Sequence, residues 1–101
     1  MDYFSPFEEQ INNLCKQFSV NKLFAFGSVL TNRFNESSDV DLIVDFDKRA
    51  VKDHFTNFFD FKYSLENIFK RDVDLFEEQP IRNSYLRKNI ENSKTLIWMN
   101  L

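Results

Sequence analysis

Two apolar runs separated by a fixed gap constrain this chain more than any other feature. Leu23-Phe24-Ala25-Phe26 runs into Gly27-Ser28, and after ten further residues comes Asp39-Val40-Asp41-Leu42-Ile43-Val44. A short apolar run closed by Gly-Ser reads as a buried strand entering a tight turn. Gly27 permits backbone dihedrals that other residues avoid, and Ser28 supplies a hydroxyl, so the turn suits a triphosphate. It is also the one glycine in the chain. In the second run, alternation puts Val40, Leu42, Val44 and Phe46 on one face of a strand and Asp39, Asp41, Ile43 and Asp45 on the other.

Asp39 and Asp41 therefore project together, and two like charges on neighbouring positions of one face repel unless a cation or several donors neutralise them. Hard carboxylate oxygens suit magnesium, with manganese as the substitute. Two ions bridging a nucleophile and a triphosphate call for a third acid. Arg71-Asp72-Val73-Asp74-Leu75-Phe76 reads as another short strand, with Val73 and Leu75 toward the core and Asp72, Asp74 and Phe76 on the other face. Asp74 is the candidate third ligand and Asp72 its rival one pleat earlier; periodicity does not choose between them.

Gly-Ser, ten residues, Asp-x-Asp and a later Val-Asp-Leu form a joint pattern that resembles the minimal nucleotidyltransferases of the DNA polymerase beta superfamily. The likeness runs from about Leu23 to the C-terminus and aligns Asp74, rather than Asp72, with the family's third acid. It implies a Mg-dependent transfer of a nucleoside monophosphate, AMP from ATP, to a hydroxyl. It also implies a helical partner of the HEPN type, which such short proteins serve as antitoxins by adenylylating a tyrosine of the toxic ribonuclease. Where the family often has a basic, small-residue segment after Gly-Ser, this chain has Val29-Leu30-Thr31-Asn32-Arg33-Phe34.

A chain of 101 residues fits one domain spanning 1–101, and 43% hydrophobic content with thirteen Phe can fill a core without disulfides. The single Cys15 reads as a small core residue and the single His54 as a helix-surface residue. No apolar run reaches the roughly eighteen residues of a membrane span, and the N-terminus lacks a basic start, so the expected location is the cytoplasm. A net charge of -3 argues against a domain built to grip a nucleic-acid backbone, which leaves a nucleic-acid acceptor disfavoured.

The remaining residues read as scaffold. Ser5-Pro6-Phe7-Glu8 has the form of a capping box ahead of a helix burying Phe7, Ile11, Leu14 and Phe18. Thr31 to Phe34 predicts a short helix, and Asn35-Glu36-Ser37-Ser38 a polar loop. From about Lys52 to Phe69, residues Phe55, Phe58, Phe59, Lys62, Leu65, Ile68 and Phe69 trace one helical face. Pro80 opens a further helix with Ile81, Tyr85, Leu86 and Ile90 inward, and Thr95 to Met99 closes as a strand. The order helix, strand, strand, helix, strand, helix, strand predicts an α+β fold: a small mixed sheet with helices packed on one face and a metal and nucleotide cleft on the other.

In that cleft Asp39, Asp41 and Asp74 would be catalytic as metal ligands, and Gly27 and Ser28 would bind the nucleotide. Arg33, Lys48, Lys62 and Arg71 are candidate phosphate partners, each with an ordinary solvated or ion-paired role as its rival. The base pocket is not legible. The competing reading from another class is a catalytically idle binding module that neutralises a partner by contact alone. A metal-dependent phosphodiesterase ranks third, since it would leave the Gly-Ser turn without a triphosphate to hold.

Overall fold

A computed structural model describes residues 3–32, 34–78 and 94–100. Its centre is the strand that alternation predicts: β2, Val40–Phe46, with Val40, Leu42 and Val44 fully buried and Phe46 nearly so. β1, Val20–Phe26, pairs antiparallel with β2 on one side and with β4, Thr95–Met99, on the other. β3, Val73–Glu77, pairs parallel with β2, which gives the four-stranded mixed order β3-β2-β1-β4. Parallel neighbours cannot be joined by a tight turn. The crossover is α2, His54–Phe69, which packs on the face carrying Val40, Leu42 and Val44.

α2 starts where Asp53 accepts hydrogen bonds from the Thr56 amide at 3.2 Å and the Thr56 hydroxyl at 2.8 Å, an N-cap that satisfies orphan donors of the first turn. It stops at Lys70, whose φ of 56° is the left-handed conformation of a helix terminus, with its amide on the Glu66 carbonyl at 2.8 Å. Its inward stripe is Phe61, Leu65 and Phe69, flanked by Phe58 and Ile68. Phe55, expected inside, is 72% exposed. Truncating Phe61 to Ala in this stripe costs about 3–5 kcal/mol.

α1, Glu8–Gln17, buries Ile11 and Cys15 and sets Phe7, Leu14 and Phe18 against the same core. The expected capping box does not form: the chain enters through a 3-10 turn, Ser5–Phe7, and neither flanking cap position makes a side-chain cap bond. The short helix expected at Thr31 to Phe34 lies four residues earlier, as a 3-10 turn over Gly27–Leu30. The helix expected from Pro80, with Ile81, Tyr85, Leu86 and Ile90, falls outside the described residues. Among the described residues no helix is long and apolar enough to cross a membrane.

Candidate active site

β1 ends, and β2 and β3 begin, at the same edge of the sheet. The register there sets Phe26 opposite Asp41 and Asp41 opposite Asp74. Gly27 follows directly with φ +75°, and a Cβ built on it would lie 2.5 Å from Asp41 Oδ2. The glycine is thus required twice, by its dihedral and by the carboxylate lying against its Cα. Ser28 sits in the first turn after it, where its carbonyl accepts from the Thr31 amide and the Thr31 hydroxyl, each at 2.9 Å.

Period-2 alternation left Asp72 and Asp74 as rivals, and register separates them. Asp74 is the direct cross-strand neighbour of Asp41. Asp72 precedes β3 and receives the Val40 amide on its carbonyl at 3.0 Å. Asp39 lies one residue ahead of β2 with its side chain exposed. Ile43, on the same face as the acids, is 4% exposed, so an apolar side chain separates Asp41 at the start of β2 from Asp45 near its end.

Burial pushes the Asp41 carboxyl up to about 6, helped by the Asp74 charge, a side-chain hydrogen bond with Asp74 and the Asp39 charge. Without a cation the facing pair is relieved by sharing a proton; a divalent ion relieves the same repulsion with both ionised. Carboxylate oxygens alone are the donor chemistry of magnesium or manganese, so these residues fit such an ion. They do not form a finished cage: among the described residues no three His, Cys, Asp or Glu side chains draw together closely enough to hold one. Asp41 and Asp74 are joined, and Asp39 acts on them through space.

Of the basic candidates, Lys62 lies on α2, paired with Glu66 at 3.5 Å and 5.2 Å from the centroid of the Tyr63 ring. Lys48 lies in the turn that follows β2, beyond about 17 Å of strand running from Asp41 to Phe46. Arg71 lies at the near end but donates to the carbonyls of Asn35 and Ser38, a role the sequence did not suggest. Arg33 is outside the described residues. His54 is at the surface as expected, paired with Glu77. Cys15 is fully buried and its thiol is pushed up to about 12 by burial, which removes it as a nucleophile.

Comparison with known proteins agrees with this geometry. The family described as Polymerase beta, Nucleotidyltransferase matches residues 9–100. Two proteins of Methanocaldococcus jannaschii, each named "Putative protein adenylyltransferase", are 32% and 31% identical over 75 and 78 residues, covering 74% and 77% of this chain and 74% and 76% of theirs. A solved structure described as a putative minimal nucleotidyltransferase superposes with TM-score 0.73 at 25% identity, over 94% of this chain and 95% of its own. A toxin-antitoxin crystal structure with AMP-PNP shares the fold, with TM-score 0.69 at 19% identity over 92% of this chain and 73% of that one. So does the Shewanella oneidensis complex of a tri-AMPylated HEPN toxin with its MNT antitoxin, with TM-score 0.61 at 19% identity over 92% and 70%.

Proposed function

The chain belongs to the polymerase beta nucleotidyltransferase family, and from that premise we propose that it is a protein adenylyltransferase moving AMP from ATP to a hydroxyl on a partner protein. The acceptor in this reading is a tyrosine of a helical HEPN toxin, which the transfer silences, so the chain acts as an antitoxin. Two relatives named for protein adenylyltransfer and a neighbour complexed with a tri-AMPylated HEPN toxin support the choice of acceptor. The observation that carries the proposal is the register of Asp41 against Asp74, with Gly27 packed on the Asp41 carboxylate.

In the proposed reaction the acceptor hydroxyl gives up its proton to solvent water and its oxygen forms a bond to the α-phosphorus of ATP. The bond between that phosphorus and the αβ-bridging oxygen breaks, and pyrophosphate leaves. Asp39, Asp41 and Asp74 would hold two magnesium ions, or manganese in their place; bound there, the metal supplies Lewis-acid polarisation of the phosphates and eases ionisation of the hydroxyl. The turn after Gly27 offers backbone N–H groups and the Ser28 hydroxyl to the outer phosphates, as concave turns do for anions. Tyr, being a phenol with a pKa near 10, needs less activation than an alcohol.

The test is incubation of the chain with labelled ATP, magnesium and its candidate HEPN partner, beside an Asp39→Asn, Asp41→Asn variant. Label on a partner tyrosine that requires the aspartates is the expected outcome. Neutralisation of the partner by the double variant, with no label in either sample, would replace this reading with the idle binding module.

A further inference from the structure

Asp39 sits between two anchors, and both come from the approach to β3. On its C-terminal side the Val40 amide donates to the Asp72 carbonyl at 3.0 Å. On its N-terminal side the Ser38 carbonyl accepts from Arg71 Nη1 at 2.9 Å, and the same nitrogen donates to the Asn35 carbonyl at 2.8 Å. The Asn35 to Ser38 turn is already closed locally. The Ser38 amide meets the Asn35 carbonyl at 3.0 Å, the Asn35 amide meets Ser38 Oγ at 3.1 Å, and Ser37 donates twice to Asn35 Oδ1. The turn therefore does not need Arg71 to exist. What Arg71 adds is attachment of the turn to the strand that carries Asp74.

The guanidinium is itself held in place. Its carbon lies 4.4 Å from the centroid of the Phe34 ring and 5.2 Å from that of Tyr3, whose two rings are 4.9 Å apart. Tyr3 in turn contacts Phe69 near the end of α2. Arg71 follows the left-handed cap residue Lys70, so the same chain reversal that ends α2 delivers the side chain to this aromatic slot. A stacked, forked cation bridging two carbonyls is a rigid link.

We infer that Arg71 is a positioning residue: it holds the exposed Asp39 beside Asp41 and Asp74 against their mutual repulsion, and so sets the affinity of the site for a divalent cation. The inference rests on the reading of these acids as a metal site. With Arg71 gone, the cheapest relief of three like charges is for the turn bearing Asp39 to swing toward solvent.

Mn2+ titration of the full chain, followed by electron paramagnetic resonance with a non-hydrolysable ATP analogue present, tests it. Arg71→Ala should weaken Mn2+ binding by about tenfold or more, the usual range for partners that orient metal ligands. Arg71→Lys, which keeps the charge but not the stacked fork, should fall between, and it carries the test if the alanine variant does not fold. In an Asp39→Ala background the same change should add less than about twofold, since the effect passes through Asp39. Unchanged affinity in Arg71→Ala, or equal weakening without Asp39, overturns the inference alone. Equal Mn2+ binding by wild type and Asp41→Asn overturns the metal reading and the inference with it.

Discussion

The two ends of the β2–β3 pair both carry acidic side chains, under opposite conditions. At the far end Glu77 stands opposite Val44 and is paired with His54, and the next residue, Glu78, meets Lys94 Nζ at 2.7 Å. At the near end Asp41 stands opposite Asp74, with Asp39 nearby, and among the described residues no ion pair reaches any of the three. Carboxylates with a histidine or lysine partner beside them are structural and contribute little. Carboxylates set against each other store an unfavourable interaction that a ligand can relieve. The sheet that makes both ends is one continuous ladder, so the difference lies in the side chains that approach it, not in the backbone.

Asp41→Asn breaks the contrast most sharply. Nucleotidyl transfer should fall by at least about a thousandfold, the effect of losing several kcal/mol of stabilisation of the transferring phosphoryl group. Single-turnover assays with labelled ATP read this directly, and transfer within tenfold of wild type would remove Asp41 from the site. Gly27→Ala comes next. It forces a Cβ to within 2.5 Å of Asp41 Oδ2 at a backbone φ of +75°. The dihedral alone costs about 1 kcal/mol of stability, and the displaced carboxylate should lower transfer by a much larger factor than the loss of folding accounts for. Comparing thermal melts with rates separates the two.

These predictions rest on features of unequal legibility. The alternation of Val40 to Phe46 was readable because its polar positions fall strictly on one face, and the structure keeps every one of those assignments. Asp72 and Asp74 share a face, so period-2 reasoning could not choose between them; the choice lies in cross-strand register, which no single strand encodes. On α2 the reason differs. With Phe at 55, 58, 59, 61 and 69 the apolar residues of the helix spread over about half of its circumference, so its phase is underdetermined, and Phe61, outside the expected face, is fully buried while Phe55 is exposed. Arg71 was visible only as a charge. That it reaches carbonyls 36 and 33 residues earlier is a tertiary fact. Gly27 gave a partial signal: its freedom was evident, the Asp41 carboxylate against it was not.

Titration sharpens the comparison at smaller scale. In the metal-free chain the folded Asp41 carboxyl sits near 6 against an ordinary 3.8, so the folded state holds that proton more tightly than the unfolded one. Below about pH 4 both states are protonated and the penalty is absent; it grows as pH rises and is complete above about 6. Asp41→Asn should therefore raise the melting temperature in EDTA at pH 7.5 by a few degrees, on the order of 1 kcal/mol once solvent screening of a partly exposed site is allowed for. The gain should vanish at pH 4. A gain that is equal at both values would place its origin outside the Asp41–Asp74 repulsion.

Glu77→Gln is the smallest perturbation and the control that gives the others meaning. Its partner His54 is about half exposed and the pair lies at the surface, so removing the charge should cost less than about 1 kcal/mol. The strand register that sets Asp41 against Asp74 does not depend on it, because the ladder from Val40 to Val44 is held by backbone pairing and the buried faces of Val40, Leu42 and Val44. Transfer activity and Mn2+ affinity should stay within about twofold of wild type while Asp41→Asn, about 10 Å away along the strands, lowers the first by at least about a thousandfold. Equal losses at the two ends would mean that the carboxylates act through the stability of the sheet as a whole, and the division between structural and ligand-binding acids would fall.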